Sequence, residues 1–115
     1  MSAVTNFELI VTIVPKGKAS RLIKAAKEVG AEGSTIFNGR GAGIHESKKM
    51  FGLSIEPEKE IMLTVVPDNI RKEVVEAIRK EGELDQSGAG IGFVVNVQEL
   101  FGVNHVIGQR EKKKE

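Results

Sequence analysis

Slid along itself by 52 positions, the sequence matches residues 11–30 with residues 63–82 without a gap. Thr12, Val14, Pro15, Ala25 and Gly30 coincide with Thr64, Val66, Pro67, Ala77 and Gly82, and Lys27 falls opposite Arg79. A chain that carries one pattern twice builds one unit twice, and each half reads as strand, proline stop, amphipathic helix, glycine stop. Residues 7–14 are rich in Ile and Val and end at Pro15, which cannot donate to a sheet ladder; residues 61–66 end likewise at Pro67. Ala19, Leu22, Ile23, Ala26 and Val29 recur at helical spacing with lysines between them, up to Gly30, a residue suited to a left-handed stop. The second helix is expected from about Asn69, behind the capping candidate Asp68, through Ile70, Val74 and Ile78 to Gly82. Residues 34–38 and 93–97 supply the partner strand of each half.

The order strand, helix, strand, strand, helix, strand is the ferredoxin-like, split β-α-β plan of the α+β class. It predicts a four-stranded antiparallel sheet with two helices on one face. Right-handed crossovers set the strand order 4-1-3-2. The 115 residues form one domain over residues 1–108, with a polar tail over 109–115 in which Lys112 to Lys114 are solvated. A single domain of this size buries one modest core, so an oligomer interface is a natural further source of stability.

Lys plus Arg total 17 against 16 acids, a balance that gives no general attraction to nucleic acid or anionic membrane. The sequence shows no apolar run of the ~20 residues that would span a bilayer and no signal-peptide pattern, so no transmembrane segment is expected. It also holds no cysteine, which removes disulfides, thiolate metal sites and cysteine nucleophiles and fits a cytoplasmic location.

Two clusters with glycine at every other residue, Gly39-Arg40-Gly41-Ala42-Gly43 and Gly88-Ala89-Gly90-Ile91-Gly92, stand 49 positions apart. Alternating glycines can turn several N–H groups toward one anion, and they serve ordinary turns and bulges equally well. The strand order puts both clusters on one rim but on opposite edges, about three spacings of ~4.8 Å apart. On this reading only a ring of subunits brings them together. Between them, residues 39–59 form a long connection without periodicity, the kind of segment that is usually functional or flexible. Its apolar residues Met50, Phe51, Leu53 and Ile55 either contact a partner protein or fold back on their own domain. Arg40 either reaches a phosphate or forms an exposed ion pair. The apolar residues Leu100, Phe101, Val103, Val106 and Ile107 pack on a neighbouring subunit or on the chain's own sheet.

Acid-base or metal chemistry would fall to His45, Glu46 and His105. Sequence neighbours on a mobile loop are poorly preorganised for catalysis, but a trimeric metal-binding protein using these residues at an interface is the alternative reading. Other proteins of this fold fit less well. A copper chaperone needs two cysteines, an acylphosphatase needs an arginine-bearing cradle where the chain has Lys16-Gly17-Lys18, and an RNA-recognition domain needs aromatics in residues 61–66.

Taken with the repeat, the segment Phe37-Asn38-Gly39-Arg40-Gly41, the long connection, the strand from Glu60 to Asp68 and the glycine turn before the last strand make the chain similar to the PII signal-transduction (nitrogen regulatory) family, as a divergent member. The resemblance covers nearly the whole chain. It implies a homotrimer that binds an adenine nucleotide in clefts between subunits. It also implies a regulator rather than an enzyme, one that controls a nitrogen-metabolism enzyme, a transporter or another regulator through the long loop.

By position, Gly39 and Gly41 match the glycines that shape the family's cleft, Gly88, Ala89 and Gly90 match its phosphate-contacting loop, and Lys59 matches a basic residue after the long loop. The family's lysine after that loop is here Ile91, its paired arginines after the last strand have only Asn104, His105 and Arg110 nearby, and an expected glutamine is Gly43. Charge-assisted bonds contribute ~1.5 to 3 kcal/mol each, so three losses shift affinity by orders of magnitude. The candidate effectors are therefore ATP, ADP, AMP and a cyclic nucleotide. With no tyrosine in the chain, nucleotidyl modification of a loop tyrosine is excluded. Gly90→Val is expected to remove nucleotide binding and leave the fold largely intact.

Overall fold

The computed structural model describes residues 6–43, 48–50 and 53–102. In chain order the elements are β1 (Phe7–Pro15), α1 (Ala19–Glu28), β2 (Thr35–Arg40), β3 (Lys48–Met50), β4 (Leu53–Ile55), β5 (Glu58–Pro67), α2 (Asp68–Gly82) and β6 (Ile91–Val97). Strands β2, β5, β1 and β6 lie in that order in one sheet, and every neighbouring pair is antiparallel. This is the expected ferredoxin-like α+β architecture, with the repeated units contributing the two central strands.

Both prolines end their strands as the repeat requires, Pro15 opposite Lys59 and Pro67 opposite Phe7. At the last register position the missing N–H costs the ladder nothing. Alternate residues of the central strands, Ile10, Thr12 and Val14 on β1 and Met62, Thr64 and Val66 on β5, are buried beneath Leu22 and Ala26 of α1 and Val74 and Ile78 of α2. Burying the Ile, Val, Leu and Met side chains among them stabilises the domain by roughly 1.5 to 3 kcal/mol each relative to exposure.

The helix ends depart from the sequence reading in two places. Pro67, in extended conformation, is the N-cap of α2, and Asp68 is the first helical residue, making no side-chain cap. Asp68 instead donates its backbone N–H to the Asn6 carbonyl at 2.8 Å, and its charge sits favourably at the positive end of the helix dipole. At the other end Gly82 stays helical, and Glu83 takes the left-handed turn with φ 52°. Gly82 is small for a packing reason: a Cβ there would meet Leu84 at 3.1 Å and Leu22 at 3.3 Å. For α1 the expectation holds, since Gly30 has φ 116° and Ala31 N–H bonds the Ala26 carbonyl at 3.0 Å. The first N–H of α1, that of Ala19, is satisfied across the fold by the Glu60 carboxylate at 2.9 Å.

The face of the sheet away from the helices is apolar, and among the described residues several of its side chains are exposed. Register places Val65, Leu9 and Val95 in one cross-strand row, Leu63, Val11 and Phe93 in the next, and Phe37, Ile61, Ile13 and Ile91 in the third. Phe93, Val95 and Phe37 are each nearly half exposed.

Within the long connection, β3 and β4 pair with each other, Lys48 opposite Ile55 and Met50 opposite Leu53. They form a separate two-stranded sheet.

Candidate functional site

The end of β1, the start of β5, the end of β2 and the start of β6 meet at one rim, on the open face of the sheet. A cavity of about 510 Å³ lies there. Residues 39–43 form one wall, Gly88, Gly90 and Ile91 the other, and Ile13, Lys59 and Ile61 the floor. The two glycine clusters therefore face each other across a single pocket of a single chain, which corrects the expectation that only a ring of subunits joins them. Strand spacing separates the edge strands themselves. It does not separate the segments leaving them, which wall the pocket while the central strands supply its floor.

Of the residues singled out for phosphate binding, Gly39, Arg40, Gly41, Lys59, Gly88 and Gly90 line the pocket. Ala89 does not. Its N–H is held in a turn by the Gln86 carbonyl at 3.1 Å, and the Gly41 N–H is spent on the Pro57 carbonyl at 3.2 Å. The expected set of backbone donors is thus smaller than the glycine count suggests. Gly88 has φ 80° and Gly90 φ 143°, and no intramolecular bond engages either amide among the described residues.

Lys59 is 8% exposed, a charged side chain buried at the centre of the rim. Gly39 opposes it in the β2–β5 ladder and Pro15 in the β1–β5 ladder. An ammonium held out of water favours an anionic neighbour.

Arg40 is exposed, lines the pocket and stands opposite Glu58 in register. That carboxylate is engaged elsewhere. Lys16 Nζ lies 2.8 Å from Glu58 Oε1, and the Lys16 N–H donates to the Glu58 carbonyl at 3.2 Å. The Lys16 hydrogen bond and charge, with a smaller pull from Arg40, hold the Glu58 carboxyl below the usual carboxylate range, and Glu58 in turn raises Lys16.

Sequence reasoning missed Ile13, Ile61 and Ile91 as pocket residues. Strand alternation marks them as one-faced, but only register aligns them at the rim. A second cavity of about 330 Å³ lies on the helix side between α2 and β6. Its charged pair, Arg79 and Asp85, is internally satisfied at 3.1 Å.

Phe51, His45, Glu46 and His105 lie outside the described residues, as do the side chains of Met50, Leu53 and Ile55. Among the described residues no group of three or more His, Asp or Glu is placed to hold a metal ion, and no helix is long and apolar enough to cross a membrane.

The chain is thus a ferredoxin-like sheet with a rim pocket walled by the root of a long hairpin-bearing connection. Residues 7–105 match the family model for nitrogen regulatory protein P-II, and the chain belongs to that family. Among solved structures, B. subtilis GlnK in complex with ATP superposes with a TM-score of 0.69 at 16% identity, over 90% of this chain and 92% of that one. Arabidopsis thaliana PII bound to citrate gives 0.66 at 22% identity, over 87% and 82%. At these identities the likeness establishes the shared fold. No curated protein sequence matches the chain significantly.

Proposed function

We propose that the chain is a PII-type regulator that binds an adenine nucleotide in the rim pocket and passes the signal to a protein partner through residues 39–59. The observation that carries this is the convergence of both glycine clusters and the buried Lys59 on one pocket, one wall of which is the root of that connection. A ligand seated there favours the arrangement of the connection that contacts it, and a partner reads the arrangement. The two solved relatives hold anions, ATP and citrate, which agrees with a cationic floor. Nitrogen metabolism supplies the partner class, an enzyme, a transporter or another regulator in the cytoplasm.

The open sheet face supports a homotrimer. Among the described residues its apolar cross-strand rows leave Phe37, Val65, Ile91, Phe93 and Val95 exposed, a surface that a neighbouring subunit would bury. The pocket lies at the rim of that face, where a neighbouring subunit would close it.

A thermal-shift panel of ATP, ADP, AMP, a cyclic nucleotide, 2-oxoglutarate and divalent metals, with light scattering for mass, tests the proposal. A nucleotide at 100-fold excess over its Kd should stabilise by about 2.7 kcal/mol, at a mass of three chains. A monomeric mass with no nucleotide response would overturn it. A response to metals alone would move the function to the metal-binding alternative.

A further inference from the structure

The cavity of about 330 Å³ between α2 and β6, on the helix side of the sheet, falls within the size range of small-molecule sites. Ile10, Val75, Ile78, Leu84 and Val94 give it an apolar lining. Thr12, wholly buried on β1, also lines it, and the Thr12 hydroxyl has no hydrogen-bond partner among the described residues. Gly92 stands opposite Thr12 in the β1–β6 ladder and lines the cavity too. A Cβ on Gly92 would lie 4.0 Å from Thr12 Oγ1 and 3.6 Å from the Val11 carbonyl oxygen, with no closer neighbour, so the hydroxyl faces a gap where a side chain would fit.

The repeat shows what is missing. Thr64, the counterpart of Thr12, finds its partner in Ser34, whose hydroxyl lies 2.7 Å away. Ser34 directly precedes β2, one position beyond the Thr35–Leu63 pair, and so holds toward Thr64 the place that Gly92 holds toward Thr12. Glycine in place of serine opens the cavity and leaves the hydroxyl unpaired. Water suits such a space poorly, because a buried water needs about two to four polar partners and these walls are mainly aliphatic. Arg79 and Asp85, the ionic groups of the lining, bond each other at 3.1 Å, so an occupant needs no charge.

We propose that this cavity is a second ligand site, for a small uncharged molecule whose single hydroxyl or carbonyl group bonds the Thr12 hydroxyl beside Gly92 while its apolar body lies on Ile10, Ile78 and Val94. The site does not depend on the nucleotide reading of the rim pocket. Gly90 and Ile91 line both cavities, so the two sites share one stretch of main chain.

Amide NMR titration of the full chain with phenol, and with toluene as a probe of similar size that lacks the hydroxyl, tests the proposal in the wild type, Thr12→Val and Gly92→Ser. In the wild type phenol should shift the amides of Ile10, Ile78, Gly92 and Val94. Thr12→Val removes the hydroxyl at nearly constant shape, and Gly92→Ser gives it the partner that Ser34 gives Thr64. In both variants phenol should bind about five-fold or more weakly, the effect of one lost hydrogen bond, whereas toluene should stay within about two-fold of the wild type. Neither variant should lower the urea midpoint, since each removes an unpaired buried hydroxyl. Absence of shifts at these four amides, shifts confined to the rim around Gly39 and Lys59, or unchanged phenol affinity in either variant overturns the proposal. An equal fall for toluene overturns it as well, because the hydroxyl would then play no part in recognition.

Discussion

Residues 39–43 and 88–92 share one alternation of glycine, yet they use it for different ends. In the first segment a Cβ on Gly41 would meet nothing within 4 Å, and one on Gly39 would touch only the tip of Ile61 at 2.9 Å, which can swing away. In the second, a Cβ on Gly90 would lie 2.6 Å from the Ile13 carbonyl oxygen and 2.9 Å from Val14 Cγ1, at φ 143°. The first cluster leaves room for a ligand. In the second, Gly90 is required by the fold, because the chain entering β6 must pass tightly over the end of β1. The same motif thus leaves its glycines elective on one wall of the pocket and makes one of them, Gly90, obligatory on the other.

Substitution should separate the two. Gly90→Ala should destabilise by roughly 3 kcal/mol, combining a strained positive φ with a clash against main chain, read as a lower midpoint in urea. That reverses the sequence-based expectation for Gly90→Val, which would disrupt the fold before it informed on ligand. Gly88→Ala, at φ 80° in open space, should cost about 1 kcal/mol. Gly41→Ala should lie within about 0.5 kcal/mol of the wild type and act on ligand affinity instead, so equal losses at 41 and 88 would erase the distinction.

The smallest effect belongs to the exposed pair behind the first wall. Glu58 has a lowered pKa, so its contribution is present above the usual glutamate range and is lost as pH falls through the lowered value. Lys16 has a raised pKa, so its contribution holds below the usual lysine range and is lost as pH rises through the raised value. The difference in urea midpoint between wild type and Glu58→Gln should be small and flat across neutral pH and shrink toward both extremes. A difference that grows in acid would show that Lys16 and Glu58 are not paired in solution.

Much of the fold was legible because it is written in short-range chemistry. Pro15 and Pro67 end strands since they lack an N–H, Gly30 ends α1 since it accepts positive φ, and the 3.6-residue spacing of Leu22 and Ala26 marks a buried helix face. The misread points are where distant residues decide. Asp68 looked like a cap, but Pro67 already occupies that place at the end of a strand paired to β1. The N-terminus of α1 has no local cap because Glu60, 41 residues away, provides it. The hairpin of β3 and β4 was missed because three-residue strands show no usable period.

The repeated threonines mark the boundary between the two kinds of information. Thr12 and Thr64 are equivalent in the repeat, and both are fully buried. Thr64 bonds Ser34 at 2.7 Å, whereas the Thr12 hydroxyl is buried without a partner among the described residues, opposite Gly92. The halves are thus equal in pattern and unequal in their hydrogen bonding. Periodicity and stops along the chain determine the two units and their order, because those depend on each residue's own backbone and its near neighbours. Which side chains meet across β2, β5, β1 and β6, and hence the pocket where two distant glycine segments converge on Lys59, is decided only when the sheet assembles, because register brings together residues that no local pattern relates.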